Sequence, residues 1–150
     1  MLQDYNNILV PIDGSKNAEL AFNKALEVAK RNKANLHLVH VVDERAFQNL
    51  SSFDAKMIEE LTDSSKKTLE KYLKKAKDFG LSDTDYSIEY GSPKVVIAKD
   101  VVNKLNIDLV MMGATGLNSV ERFLIGSVTS FVTRVAKCDV LIVKTDLENK

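Results

Sequence analysis

The residues best suited to chemistry in this sequence lie in one stretch, GATGLNSVERFLIGSV at 113–128. Gly113 and Gly116 open it and Gly126-Ser127 close it, in the pattern Gly-x2-Gly-x9-Gly-Ser. A backbone without Cβ can turn its amides toward an anion and let it approach closely, so such loops suit phosphate. A helix beginning at Ser127 would add unpaired N–H donors and partial positive charge. The chain has only six glycines in 150 residues, and three of them fall between Gly113 and Gly126. One or two glycines would read as simple turns. Three, at this spacing and directly after an apolar run, point to a phosphate site. Arg122, inside the loop, either meets the phosphates or is solvated.

Other chemistries find less support. The P-loop pattern GxxxxGK[ST] is absent, and no GxGxxG follows the first apolar run, where the chain reads DGSKN. No HxGH motif, Ser-His-Asp order, metal-ligand cluster or catalytic carboxylate pair can be assembled, so no catalytic or metal-binding residue is assigned. Cys138 is the only cysteine. It excludes an intrachain disulfide, a CxxC pair and a Cys-based zinc site, and reads as a small core thiol suited to a reducing compartment. His37 and His40 read as satisfied core or edge histidines, and Asp43 and Glu44 as strand-end acids. With 21 basic and 21 acidic side chains the net charge is zero, which argues against a nucleic-acid partner. No apolar run approaches the ~18 residues of a membrane span, and MLQDYNNILV lacks the positive charge of a secretory signal. A cytoplasmic protein with no membrane partner is expected.

The elements that must position the loop are legible in the periodicity. NILVPID at 7–13 and LHLVHVV at 36–42 are apolar runs of strand length without polar alternation, as in a parallel sheet buried on both faces. Between them Ala18, Ala21, Phe22, Ala25, Leu26 and Ala29 recur at helical spacing, with Ser15 placed to cap the helix. A second helix is expected over about 54–79, with Met57, Ile58, Leu61, Leu69, Tyr72, Leu73 and Ala76 on its apolar side, lysines outside and Gly80 as C-cap. TDYSIEY at 84–90 alternates, as an edge strand with one wetter face would. Ser92 then serves as N-cap and Pro93 as first residue of a third helix, followed by strands at 109–112 and 140–143 around a short helix at 127–136. Strict strand–helix alternation implies right-handed crossovers and one doubly wound α/β domain over 1–150: a parallel sheet with helices on both faces. In such sheets ligands sit beyond the carboxyl ends of the strands, where this chain places Asp13, Asp43, Gly113 and Gly116.

The segments NILVPIDGS at 7–15, LHLVHVVDE at 36–44, DLVMMGATG at 108–116, LIGSVTSFV at 124–132 and CDVLIVK at 138–144 resemble the universal stress protein family, single-domain type, over essentially the whole chain. The glycine pattern is the one associated with its ATP-binding members. The resemblance implies a five-stranded Rossmann-like sheet of the adenine nucleotide alpha hydrolase type, in the order 3-2-1-4-5. It also implies ATP, with Mg²⁺, at the carboxyl edge, and a homodimer joined along the last strand. Carried onto this sequence, Asp13 bonds the ribose or adenine, and Pro11, Ile12, Val41 and Met112 form the purine slot. Backbone amides of Gly113, Gly116, Gly126, Ser127 and Val128 hold the phosphates, with the hydroxyls of Ser127 and, less strongly, Thr129 as further donors. Asp13 also reads as a cap of the following helix. On this basis a bulky residue at Gly113 or Gly126 abolishes binding and spares the fold.

In that strand order the last strand is an edge, and Val140, Leu141, Ile142 and Val143 leave an apolar ladder that a second copy would cover. Pro11 is a difficulty, because proline removes a donor from a central strand. The reading reached is an ATP-binding universal stress protein acting as a nucleotide-dependent switch or sensor. The alternatives are a slow ATPase and a stress or interaction module that binds no nucleotide. A receiver domain needs an acceptor aspartate after the third strand, where this chain has Tyr90-Gly91.

Overall fold

The computed structural model describes residues 4–47, 53–115 and 125–144. The elements alternate: β1 (Asn7–Pro11), α1 (Lys16–Asn32), β2 (Asn35–Val42), a 3-10 turn (Glu44–Phe47), α2 (Phe53–Asp78) and β3 (Asp85–Tyr90). Next, α3 (Pro93–Val95) runs through a π-wound stretch, Val96–Val101, into α4 (Val102–Lys104) as one helical rod. β4 (Leu109–Gly113), α5 (Ser127–Val135) and β5 (Asp139–Val143) follow. All strand pairs are parallel and the order is β3-β2-β1-β4-β5, the doubly wound arrangement expected.

Side-chain alternation along the strands splits the core in two. Ile8, Val10, Leu36, Leu38, Leu109 and Met111 pack under α1 and α2. Leu9, Val39, Val110 and Met112 pack under the α3–α4 rod and α5. Ile8, Leu9 and Val10 are fully buried, which is why β1 reads as an unbroken apolar run. Phe22 of α1 meets Tyr72 of α2 edge to face, with centroids 4.7 Å apart. One expectation for α2 fails at its start: Met57 and Leu61 are 41% and 43% exposed, whereas Leu69 and Ala76 are sealed. The cause is length. At ~1.5 Å per residue a 26-residue helix outruns strands of five to eight residues, so its first turns find no sheet to cover. Among the described residues no helix is long and apolar enough to cross a membrane.

The two serine caps part company. Ser15 (ψ 159°) turns its hydroxyl to accept from Ala18 N at 3.1 Å and closes the first turn of α1. Ser92 occupies the N-cap position of α3 but with ψ 116°, and its side chain makes no cap bond; the Oγ is buried with no partner among the described residues. The difference of some 40° in ψ turns the hydroxyl off the helix axis, so Pro93 alone sets the start of the rod.

Candidate functional site

The site begins with a defect in the sheet. Ile12 N donates to Val39 O, whereas Asp108 N donates to Asn7 O. Even-numbered residues of β1 therefore bond β2, and odd-numbered residues bond β4. Pro11 is odd, so the amide hydrogen it lacks is one that would have faced β4. The ladders follow suit: β1 pairs with β2 as far as Pro11↔Val39, but with β4 only as far as Leu9↔Val110. The ladder between the central strand and β4 thus stops short at its carboxyl end, at the point where strand order reverses. The difficulty posed by Pro11 is resolved as a local interruption of one ladder.

Around this interruption the expected residues fall into three groups. Pro11, Val41 and Met112 share the α5 side of the sheet: Pro11 is in register with Val39, and Val39, Val41 and Met112 all belong to the apolar cluster on that side. Ile12 does not join them. Alternation sends its side chain to the α1 side, where it is 3% exposed, so only its backbone borders the interruption. Asp13 is exposed; its Oδ1 accepts from Ser15 N at 2.9 Å. This carboxylate forms an Asx turn that delivers Ser15 to its cap, rather than capping α1 itself. Gly14, with φ +83°, makes that turn possible.

The third group is the loop and the helix it feeds. Gly116 and Arg122 lie outside the described residues. Gly113 ends β4 so close to α1 that an added Cβ would stand 2.7 Å from Asn17 Cβ, 2.8 Å from its carbonyl carbon and 2.9 Å from its oxygen. Glycine is required there by helix–strand packing. A bulky residue at Gly113 therefore cannot spare the fold, contrary to the expectation from sequence. The two ends of the loop are tied together as well. Gly126 N donates to Ala114 O at 2.7 Å, and Thr129 Oγ1 donates to Gly113 O at 2.9 Å. The Gly126 amide and the Thr129 hydroxyl are thus engaged within the protein and are not phosphate donors in this conformation.

Among the described residues the start of α5 keeps unpaired backbone donors. Gly126 is its N-cap and has no side chain to offer, so no cap bond forms; the first intrahelical acceptance is Gly126 O from Ser130 N. Among the described residues nothing caps the backbone N–H groups of Ser127, Val128 and Thr129, the donors a helix start leaves without intrahelical partners. Ser127 itself is exposed.

Sequence reasoning missed the brace on this arrangement. Asn17, in the first turn of α1, donates through Nδ2 to Thr115 Oγ1 at 2.6 Å and to Thr115 O at 3.3 Å. A lone Asn at a helix start carries no signal of a partner 98 residues on. Asp43, by contrast, accepts from Arg45 through Nε and Nη2, both at 2.8 Å, and this bonding holds its carboxyl below the usual range. Among the described residues no group of three His, Cys, Asp or Glu side chains is placed to hold a metal ion. His40 donates from Nδ1 to Ile12 O at 2.7 Å, tying β2 to the end of β1. The Cys138 thiol is half-buried, and burial pushes its pKa up, away from thiolate reactivity.

Residues 4–144 match one family model, described as Universal stress protein family. The chain belongs to the universal stress protein family. A universal stress protein of Staphylococcus haemolyticus is 44% identical over 142 residues, 95% of this chain and 86% of that protein. The solved universal stress protein UspA from Lactobacillus plantarum is 33% identical with TM-score 0.82, covering 95% of this chain and 99% of that one. A family member from Arabidopsis thaliana, solved with AMP bound, shares the fold at TM-score 0.67 and 22% identity, over 95% of this chain and 94% of that one.

Proposed function

We propose that this universal stress protein binds ATP at the carboxyl edge of the sheet and serves as a nucleotide-dependent switch or sensor in the cytoplasm. The observation that carries the reading is the pairing of the interrupted ladder at Pro11 with the uncapped start of α5. In this reading the base lies against Pro11, Val41 and Met112, which share the α5 side of the sheet. Asp13 offers a carboxylate to the ribose or adenine donors, and the amides of Ser127 and Val128 meet the phosphates with the field of the helix behind them. The donor set fits a nucleotide anion. Mg²⁺ would ride on phosphate oxygens and water, its usual arrangement with nucleotides. The AMP carried by the Arabidopsis neighbour supports an adenine nucleotide as the ligand class.

The test is direct. Protein purified without added nucleotide, denatured and run on HPLC with mass detection, is expected to release ATP, and calorimetric titration should rank ATP/Mg²⁺ above AMP. Release of no nucleotide, with no thermal shift on adding ATP/Mg²⁺, overturns the proposal. Accumulation of ADP over turnovers would favour the ATPase reading.

The same proposal includes a homodimer along β5. This strand is a sheet edge, and Leu141 on it is 38% exposed. Pairing with a second copy satisfies the edge ladder and covers Val140, Leu141 and Ile142. Light scattering should give twice the chain mass, and Leu141→Lys should shift it toward one chain. A monomeric wild type at micromolar concentration would refute the interface.

A further inference from the structure

On the face of the sheet away from α1 and α2, the β2–β3 pair brings together three side chains that the nucleotide site does not use. His37 faces Asp85 directly across the pair and Ser87 two residues further along the same face. His37 Nδ1 is hydrogen-bonded to Asp85 Oδ1, and His37 Nε2 lies 2.9 Å from Ser87 Oγ. A carboxylate only accepts, so with neutral imidazole the ring proton resides on Nδ1, and Nε2 is left to accept from the Ser87 hydroxyl. This is the connectivity of nucleophile, base and orienting acid.

The edge position adds a fourth element. Gly91 N donates to Val42 O, so by alternation Ser87 and Glu89 turn their amides to β2, whereas Ile88 turns its N–H outward from the edge. The backbone N–H that follows Ser87 therefore has no ladder partner among the described residues, and it is the donor adjacent in the chain to an oxyanion formed on Ser87. We propose that Ser87 is an activated nucleophile that accepts acyl groups from small activated esters, with His37 as base and Asp85 as the group that orients it.

In the first step Ser87 Oγ attacks the ester carbonyl carbon while its proton passes to His37 Nε2, and the carbonyl π pair moves to oxygen beside Ile88 N–H. The tetrahedral adduct collapses, the C–O bond to the leaving group breaks, and that group departs with the proton from Nε2. This leaves acyl-Ser87, which water releases by the same sequence. The Asp85 side chain is 72% exposed and that of His37 12%. Water competes for the carboxylate, so the acceleration belongs at the low end of the ~10²–10⁴ typical of general bases.

The experiment uses the whole protein with two probes, a biotinylated fluorophosphonate and p-nitrophenyl acetate, and maps the modified residue by peptide mass. The expected result is labelling concentrated at Ser87 and a p-nitrophenol burst approaching one per chain. Ser87→Ala should remove both. His37→Ala should slow labelling by about tenfold or more and be partly rescued by added imidazole, which a merely structural role would not show. Asp85→Asn should slow labelling with circular dichroism unchanged. Labelling of Ser87 no faster than of the exposed helical Ser64, or a His37→Ala protein that labels at the wild-type rate, overturns the proposal. Neither result bears on the nucleotide reading, because the two sites share no residue.

Discussion

Gly113→Val is expected to destabilise the whole domain. A Cβ at this position stands within 2.9 Å of the Asn17 backbone carbonyl, and backbone in the first turn of a helix cannot swing aside as a long side chain can. The helix must lift off β4 or the strand must bend. Overpacking in a close-packed interior costs about 1–3 kcal/mol, occasionally more; Gly113→Ala belongs in that range and Val at or beyond its upper end. A loss of this size is a large fraction of the ~5–15 kcal/mol that holds a domain together. Urea unfolding followed by circular dichroism measures it. A wild-type midpoint for Gly113→Ala would show that α1 and β4 do not pack as described. The experiment also separates two meanings of glycine in this loop: at Gly113 the residue serves packing first, and weakened nucleotide binding in such a variant would be secondary to the strain.

Ser127→Pro should behave in the opposite way, keeping the fold and losing the phosphates. Proline is favoured at the first position of a helix, where its missing N–H is an orphan in any case. The preceding Gly126, at φ −64° and ψ 161°, already has the extended geometry that a residue before proline requires. The substitution removes one backbone donor and one hydroxyl from the start of α5. Hydrogen bonds to charged groups contribute about 1.5–3 kcal/mol each, so ATP affinity should fall by about tenfold to a hundredfold or more, while adenosine affinity stays within about threefold. Ser127→Ala, which keeps the amide, should fall between the two proteins. The measurements are titration calorimetry with ATP, AMP and adenosine, together with the melting temperature of each variant. Equal ATP affinity in Ser127→Pro and wild type would remove the helix start from the binding site.

The architecture was legible in the sequence because each element announces itself locally. The unbroken apolar run Ile8-Leu9-Val10 can only be a strand covered on both faces, and Ala21, Phe22, Ala25 and Ala29 repeat at the spacing of a helix laid on it. The placing of Asp13 just beyond β1 and of Gly113 at the end of β4 was also legible. What eluded the sequence was which donors are already engaged. Nothing in the string distinguishes the Gly126 amide, bonded to Ala114, from the Ser127 amide one residue on, because the distinction depends on a contact closed across the loop. The role of Ile12 failed for a related reason: one step along a strand exchanges faces, and a list of residues near a strand end does not record which face each one takes. Both ring nitrogens of His37 are bonded, but its partners lie 48 and 50 residues away on another strand and appear only when the two strands pair in register.

The absent amide hydrogen of Pro11 has a consequence for how a ligand is received. In a sheet held apart by side-chain crowding, the opening would have to be recreated at every folding event and could close when empty, and part of any binding energy would go into prising strands apart. Here the interruption is covalent. It is present in the unfolded chain and survives any rearrangement of neighbouring side chains, and the Pro11 nitrogen holds no bond to β4. For the proposed nucleotide, no binding energy would go into breaking a bond at that nitrogen, and contact energy appears most fully as affinity under that condition.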